Sequence, residues 1–131
     1  IRTGRGVSGD EVDRIIDRIA EAPFPTAFSH LNKRVREGQW AKAVDVQTYI
    51  SGLRRAIRDR EARVVVYVRR GGHIVGVLAG TERVVPEEHR GARALSLVYV
   101  VFSADRGIIV TGYQASGVEQ IDIPKGARWL R

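Results

Sequence analysis

The spacing of apolar residues changes near residue 63, and this change limits the folds open to the chain. Before it, apolar side chains recur three and four positions apart, as on one face of a helix. After it, β-branched residues come in short runs separated by turn residues, as in strands joined by hairpins. We therefore predict an α+β fold, in which N-terminal helices pack on a twisted four- to five-stranded antiparallel sheet, a meander.

The helical part is predicted to cover residues 8–60, and its first helix begins near Ser8. Ser8 and Glu11 have the spacing of a capping box. The apolar residues that follow at helical spacing are Val12, Ile15, Ile16 and Ile19. Proline removes a backbone hydrogen bond and clashes with the preceding turn, so the helix should end before Pro23. Residues 1–7 are predicted to be a flexible join to whatever precedes this single domain of residues 1–131.

Two more helices are predicted before residue 60. Thr26 can cap the second, which runs to about Glu37 and stops at Gly38. The third should follow almost at once, because apolar residues continue at helical spacing. Those residues are Trp40, Ala43, Val44, Ile50, Leu53 and Ile57.

The sheet is predicted to cover residues 63–123. The runs "RVVVYVRR" and "HIVGVLAG" form a hairpin around Gly71 and Gly72, and "LSLVYVVFS" and "GIIVTGYQAS" form another around "ADRG". A short alternating piece could add an edge strand, and its apolar residues are Val118, Ile121 and Ile123. Residues 124–131 are predicted to be a tail.

The chain is strongly basic. Lys and Arg number 22 against 15 Asp and Glu, which gives a net charge of +7. This excess favours a polyanionic partner, whether nucleic acid, an acidic membrane surface or an acidic protein. The chain has no cysteine, which excludes disulfides, Cys-ligated zinc and a thiol nucleophile. No apolar run approaches the roughly 18 residues of a membrane span, so we expect no stable membrane insertion by this domain.

Familiar enzyme signatures are missing from the sequence. It contains no P-loop, dinucleotide fingerprint, H-E-x-x-H or G-x-S-x-G motif. His30, His73 and His89 are far apart and lack the acidic neighbours expected of a zinc site. A metal-dependent nuclease needs clustered carboxylates, which we do not find. We therefore predict neither a metal site nor a cofactor.

The remaining chemistry lies on the second helix and the last core strand. His30, Lys33 and Arg34 share a helix face, because positions three and four apart are neighbours. Cations beside an imidazole favour its neutral form, which suits a general base. Thr111 and Tyr113 share one face of their strand and could orient a phosphate or transfer a proton. A solvated basic helix and ordinary strand-forming residues would explain the same pattern.

Other residues could line a surface that binds the substrate. We assign substrate binding to Lys33, Arg69 and His73. The further arginines considered are Arg70, Arg83, Arg90 and Arg93. Trp129 could stack on a base, although core packing is the other explanation for it. Each of these arginines, taken singly, is more often a solvated charge.

The order of the elements and two motifs resemble the barnase/EndoU/colicin/RelE superfamily of metal-independent ribonucleases. More narrowly, they resemble the C-terminal toxin modules of contact-dependent inhibition and other polymorphic toxins. The motifs are "HLNKR" and "GIIVTGYQ", and the similarity spans residues 26–114. The resemblance implies RNA cleavage on the concave face of the sheet, with His30, Arg34, Thr111 and Tyr113 as catalytic residues. The sequence departs from a two-histidine acid/base pair, because no second histidine is clearly placed.

The resemblance also implies biological partners. Transfer RNA is a frequent substrate of such toxins, and a cognate immunity protein silences them. A larger protein at the surface of the producing cell, or secreted from it, would deliver the domain into the cytoplasm of a target cell. The charge of this chain indicates that the immunity protein is acidic.

A metal-independent ribonuclease needs a base, cations and an acid. We expect His30 to take the proton of the ribose 2′-OH and Lys33 or Arg34 to stabilise the phosphate. Thr111 and Tyr113 would orient the phosphate or donate a proton. The products would be a 2′,3′-cyclic phosphate and a 5′-hydroxyl.

Three other functions fit the sequence. A non-catalytic nucleic-acid-binding module would use the same basic surface without cutting RNA. An ADP-ribosyltransferase-type toxin would need a catalytic glutamate near the end of the domain, for which Glu119 is the candidate. A purely structural interaction domain is the third alternative.

Overall fold

The computed structural model describes residues 2–3 and 7–131, with side chains from residue 9 onward. The helices are α1 (Gly9–Ala20), α2 (Ala27–Arg36), α3 (Val46–Arg58) and α4 (Thr81–Val84). The strands are β1 (Arg2–Thr3), β2 (Val7–Ser8), β3 (Arg63–Arg69), β4 (Gly72–Gly80), β5 (Leu97–Ser103), β6 (Ile108–Ala115) and β7 (Arg128–Trp129). Short 3₁₀ helices cover Glu87–His89 and Val118–Gln120. Within these ranges, no helix is both long enough and apolar enough to span a membrane.

One antiparallel sheet of five strands dominates the fold, in the order β6-β5-β4-β3-β7. Strands β3 to β6 form the predicted meander, and the helices α1 to α3 precede it, so the α+β prediction is confirmed. β1 and β2 pair separately, and all of their residues except Ser8 lie in the segment predicted to be a flexible join. The other residues of that join, and the Ser8 side chain needed for a capping box, lie outside the described residues.

The helices bury one face of the sheet. From α1 and α3, Ile19, Leu53 and Ile57 are fully buried, and they form one cluster with Val77 and Val100 of the sheet. Complete burial of one such aliphatic side chain contributes about 1.5–3 kcal/mol. This cluster therefore fixes the helices against the strands.

The other face of the sheet is partly covered by the C-terminal segment. Leu78, Tyr99 and Ala115 are buried there together with Ile121. Tyr67 and Tyr113 lie at the border of this cluster and are only partly buried. The part of this face beyond the cluster is open to solvent.

The edge strand predicted at Val118, Ile121 and Ile123 does not form, so that prediction was wrong. The chain turns immediately after β6, because the backbone N–H of Ser116 donates to the side-chain oxygen of Gln120 at 2.9 Å. Val118–Gln120 then forms a single 3₁₀ turn. Ile121, which follows this turn, packs onto the face of the sheet instead of pairing at its edge.

The fifth strand, β7, lies in the segment predicted to be a tail, residues 124–131. It pairs with β3 at Val65 and Val66. Only Arg128 and Trp129 belong to it, which is too short for an alternating pattern to be visible in the sequence.

The third helix begins later than the spacing of apolar residues predicted. The Asp45 side chain accepts a hydrogen bond from the Thr48 backbone N–H at 2.8 Å, which caps α3 at that point. Trp40 is buried ahead of the helix, where its backbone forms a bridge with Arg90. Ala43 is exposed and not part of a buried stripe.

The β3–β4 hairpin turns one residue earlier than predicted. Its two loop residues are Arg70, with φ of 53°, and Gly71, with φ of 78°, while Gly72 already belongs to β4. Positive φ at both positions is typical of a type I′ turn, which favours Asn and Gly. Placing a side chain such as that of Arg70 in this left-handed region costs about 1 kcal/mol.

Candidate active site

The candidate site lies where α2 packs along the free edge of β6. α2 ends at Arg36, and the predicted stop residue Gly38 follows with φ of 77°. The backbone N–H of Gly38 donates to the Val35 carbonyl and that of Gln39 to the Arg34 carbonyl, each at 3.0 Å. These bonds satisfy the carbonyls at the end of the helix. Leu31 anchors the helix in the core.

His30 and Arg34 converge on the hydroxyl of Thr111. Nδ1 of His30 lies 3.0 Å from Oγ1 of Thr111. Nη2 of Arg34 donates to the same oxygen at 2.9 Å. The structure thus brings together three of the residues that the sequence placed on a helix and a strand about 80 residues apart.

Arg34 is held by three acceptors and is only 8% exposed. In addition to Thr111, its Nε donates to the Gly112 carbonyl at 3.3 Å and its Nη1 to the Glu37 carboxylate at 3.0 Å. The guanidinium carbon lies 5.2 Å from the centroid of the Tyr113 ring. Arg34 is therefore fixed in place, and it positions Thr111 and Tyr113 while adding positive charge beside them.

The Gly112 carbonyl, on the free edge of β6, receives two donors. The Tyr49 hydroxyl donates to it at 2.6 Å, and Arg34 is the second donor. Burial raises the pKa of Tyr49, so its hydroxyl remains a donor across the physiological range. Gly112 has no side chain, and Leu53 fills the space that a Cβ would need. These contacts fix β6, and with it Thr111, against the helices.

Sequence reasoning did not single out Tyr49. The available signal was its position four residues before Leu53, on the buried face of α3. A buried tyrosine usually finds a hydrogen-bond partner for its hydroxyl. Its partner on β6 is 63 positions away in the chain and could not be read from local spacing.

His30 has an environment that keeps its imidazole neutral. Burial, then the Arg34 charge and then the Lys33 charge lower the pKa of His30 below its usual 6.5. The ring also packs near Phe24, at a centroid distance of 5.5 Å. The sequence indicated the effect of the two cations, whereas burial, the largest cause, depends on the packing of α2.

The residues assigned to substrate binding separate into two groups. Lys33 is exposed on α2, next to the site. Arg69 lines the same groove as Thr111 and Tyr113, and it donates to Asp122 at 2.7 Å. His73 does not join them.

His73 points to the opposite face of the sheet from Thr111. It pairs with Val68 across the β3–β4 hairpin, and its Nδ1 lies 3.1 Å from Oδ1 of Asp105. Strand side chains alternate between faces, so His73 shares its face with Val75 and Val77, which pack in the cluster under the helices. Its assignment to the substrate site is therefore corrected.

The remaining candidates have other partners. Arg83 forms ion pairs with Asp59 and Glu61. Arg90 donates to the Val85 carbonyl at 3.0 Å. The ring of Trp129 is covered by Arg63, whose guanidinium carbon lies 4.0 Å from the ring centroid. Arg93 lines a small polar pocket of about 280 Å³ beside Arg34 and Tyr113.

An open groove extends from Thr111 across the exposed part of the second sheet face. We call it the sheet groove, and its volume is about 610 Å³. Its lining includes Tyr67, Arg69, Arg70, Arg106, Thr111 and Tyr113. Aromatic rings, cations and hydroxyls therefore border one continuous surface.

The described part of the chain contains no group of three or more His, Asp or Glu side chains placed to hold a metal ion. Comparisons of the chain with known protein families, with curated proteins and with solved structures give no match. What the protein does must therefore be argued from the chemistry of His30, Arg34, Thr111 and Tyr113.

Proposed function

We propose that the protein is an endoribonuclease toxin in which a histidine, and not a metal ion, activates the ribose 2′-OH. The observation that carries the proposal is the convergence of the His30 imidazole and the buried Arg34 guanidinium on the Thr111 hydroxyl. Thr111 lines the sheet groove, so the imidazole and the guanidinium that contact its hydroxyl lie beside the groove. Transesterification of RNA needs these groups together.

His30 acts as the general base. When its proton is on Nδ1 and is donated to Thr111, Nε2 is free to take the proton of the 2′-OH. Thr111 then accepts from both His30 and Arg34, which leaves its own hydroxyl hydrogen for a phosphate oxygen. This arrangement gives Thr111 the role of orienting the phosphate.

Lys33 and Arg34 act on the charge of the phosphate, and Tyr113 acts on the leaving group. Lys33 and Arg34 stabilise the negative charge that develops on the phosphate. Burial raises the pKa of Tyr113, so the phenol keeps its proton at neutral pH and can give it to the 5′-oxygen. The 2′-oxygen bonds to phosphorus as the bond to the 5′-oxygen breaks. The products are a 2′,3′-cyclic phosphate and a 5′-hydroxyl.

The proposal extends to the partners of the toxin. Transfer RNA in the cytoplasm of a target cell is the first substrate to examine, and a larger secreted or surface protein delivers the domain. The net charge of +7 supports an acidic immunity protein that covers the basic groove.

The test is incubation of total RNA, including transfer RNA, with the purified protein in excess EDTA, followed by mapping of the cut ends. We expect cyclic phosphate ends, and a loss of about a hundredfold or more in rate for His30→Ala. The matched control is His89→Ala, which removes a half-buried histidine of the Glu87–His89 turn, outside the site. This control should cut like the parent.

Two results with RNA would contradict the proposal. One is equal cleavage by His30→Ala and His89→Ala, which would show that His30 is not the general base. The other is RNA binding by the parent protein without cleavage, which would indicate a non-catalytic binding module. Transfer of ADP-ribose from NAD would instead identify the other class of toxin.

A further inference from the structure

We propose that the sheet groove binds an unpaired stretch of RNA next to the phosphate that is cut. Bases would lie against Tyr67 and Tyr113, and phosphates would bind Arg70 and Arg106 at its end. This inference rests on the proposed ribonuclease function and adds the form of RNA that the site accepts. Three features of the groove carry it: the tyrosines of its floor, the conformation of Arg70 and the excess of positive charge.

The floor of the groove is built from tyrosines on three strands. Tyr67 of β3, Tyr99 of β5 and Tyr113 of β6 share the face that also carries Thr111. The hydroxyls of Tyr67 and Tyr99 are 3.0 Å apart, and the rings of Tyr99 and Tyr113 meet edge to face at 5.6 Å. Tyr99 is buried, so the two partly exposed rings of Tyr67 and Tyr113 border the groove, with the Tyr99 ring between them.

A glycine on β4, the strand between β3 and β5, makes the contact between Tyr67 and Tyr99 possible. Tyr99 reaches across β4 to Tyr67 at the position of Gly76. Ring atoms of Tyr99 occupy the space where any side chain at position 76 would begin. Tyr99 is buried as a result, while Tyr67 and Tyr113 stay partly exposed to the groove.

Arg70 occupies a position that does not favour arginine. It lines the groove from the β3–β4 turn, where its φ is 53° and Asn or Gly would fit without strain. Backbone strain of this kind clusters at active sites and at ligand-binding positions. We infer that the guanidinium of Arg70 is kept for binding a phosphate.

The charges of the groove also favour a polyanion. Arg69, Arg70 and Arg106 line it together with a single acidic residue, Asp122, which pairs with Arg69. Arg106 follows β5 in the turn to β6, so it lies at the same end of the sheet as Arg70. Arg70 and Arg106 therefore both lie at the end of the groove where the phosphate is proposed to bind, and the Asp105 carboxylate beside them accepts from the His73 backbone N–H at 2.8 Å.

The aromatic floor decides between paired and unpaired RNA. In a duplex the faces of the bases are stacked on one another and cannot contact protein rings. Unpaired bases expose their faces and can stack on aromatic side chains in any sequence. A groove of about 610 Å³ is in the size range of a pocket for a small ligand, which leaves room for about one or two nucleotides.

The test measures the binding of a fluorescent 2′-O-methyl RNA oligonucleotide, which lacks the 2′-OH and cannot be cut. The parent protein, Arg70→Asn and the control Arg60→Asn are compared with this probe, alone and annealed to its complement. Arg60 is exposed between α3 and β3, whereas Arg70 follows the other end of β3. Each variant loses one positive charge, but only Arg70→Asn alters the groove.

We expect Arg70→Asn to bind the single strand about fivefold more weakly, while Arg60→Asn binds like the parent. Asparagine fits a type I′ turn, so Arg70→Asn should also raise Tm by about 3 °C. The duplex should bind at least about tenfold more weakly than the single strand. If Arg70→Asn is more stable than the parent but binds the probe more weakly, Arg70 contributes to RNA binding at a cost in stability.

Equal affinities for Arg70→Asn and Arg60→Asn would overturn the inference, and so would equal affinities for the single strand and the duplex. If Arg70→Asn lowers Tm, Arg70→Gly replaces it in the same comparison, because glycine adopts this φ freely. Failure of the nuclease proposal is distinguishable from these results. If the nuclease proposal fails, the parent protein would still bind the probe more tightly than Arg70→Asn does, but it would not cleave total RNA.

Discussion

His30 shows how far single residues could be interpreted from the sequence. Helical spacing placed it on the same face as Arg34, and strand alternation placed Thr111 with Tyr113. The sequence could not show that Arg34 would donate to the Gly112 carbonyl. That contact depends on how α2 packs against β6, which local spacing does not specify.

The pKa of His30 predicts the pH dependence of cleavage. Burial and the charges of Arg34 and Lys33 lower this pKa, so the neutral base persists at pH values where an exposed histidine would be protonated. The acidic limb of kcat/KM should therefore fall below pH 6.5. Lys33→Gln removes one of the charges and should move the limb towards higher pH.

The measurement is kcat/KM against pH, together with NMR titration of the His30 ring, for the parent, Lys33→Gln and the control Lys42→Gln. Lys42 is exposed ahead of α3. A limb above pH 6.5 in the parent, or equal shifts in the two lysine variants, would exclude the proposed electrostatic coupling between His30 and Lys33.

At the scale of elements, the edge of β6 is held by side chains of two helices. Tyr49→Phe removes one of the two donors to the Gly112 carbonyl and leaves Arg34 as the other. We expect the free energy of unfolding to fall by about 1 kcal/mol, as for loss of one buried hydrogen bond. Urea denaturation measures this change, and the cleavage rate should fall because Thr111 loses support. A variant as stable and as active as the parent would show that this hydrogen bond is unimportant.

The Tyr99 ring makes Gly76 a requirement of the sheet. A methyl group at position 76 would collide with that ring, which cannot move freely because Tyr99 is buried. We expect Gly76→Ala to cost about 1–3 kcal/mol of stability, as overpacking does. The control is Gly126→Ala, where no atom lies within 4 Å of the added carbon. Thermal unfolding of both variants measures the difference, and equal Tm values would contradict the proposed packing of Tyr99.

The elements that were predicted well are those with long periodic patterns. β3 to β6 each have seven or more residues, so their alternation was visible in the sequence. β7 has two residues and pairs only because the C-terminal segment returns to β3. The start of α3 was misplaced because the cap at Asp45 outweighs the apolar spacing before it. Short strands and caps depend on contacts that a periodic pattern does not contain.

At the scale of the whole molecule, charge and topology act together. The five-stranded sheet has helices on one face, while the other face is open beyond the C-terminal segment. Arginines of the two hairpin turns, Arg70 and Arg106, border this open face. The net charge of +7 therefore has a local counterpart in the groove.

Binding of RNA to this surface should depend strongly on salt. Each phosphate that an arginine neutralises releases counterions, which gives a slope of about −0.7 per contact for a single strand in a plot of log K against log salt. Contacts by Arg69, Arg70 and Arg106 would lower the affinity by about tenfold or more between 50 and 200 mM salt. Titration of the uncleavable oligonucleotide at several salt concentrations measures the slope for the parent and for Arg70→Asn. The slope of Arg70→Asn should be smaller in magnitude by about one contact. An affinity that does not change with salt would rule out nucleic acid as the ligand of this face, because no polyanion can bind through guanidinium groups without releasing counterions.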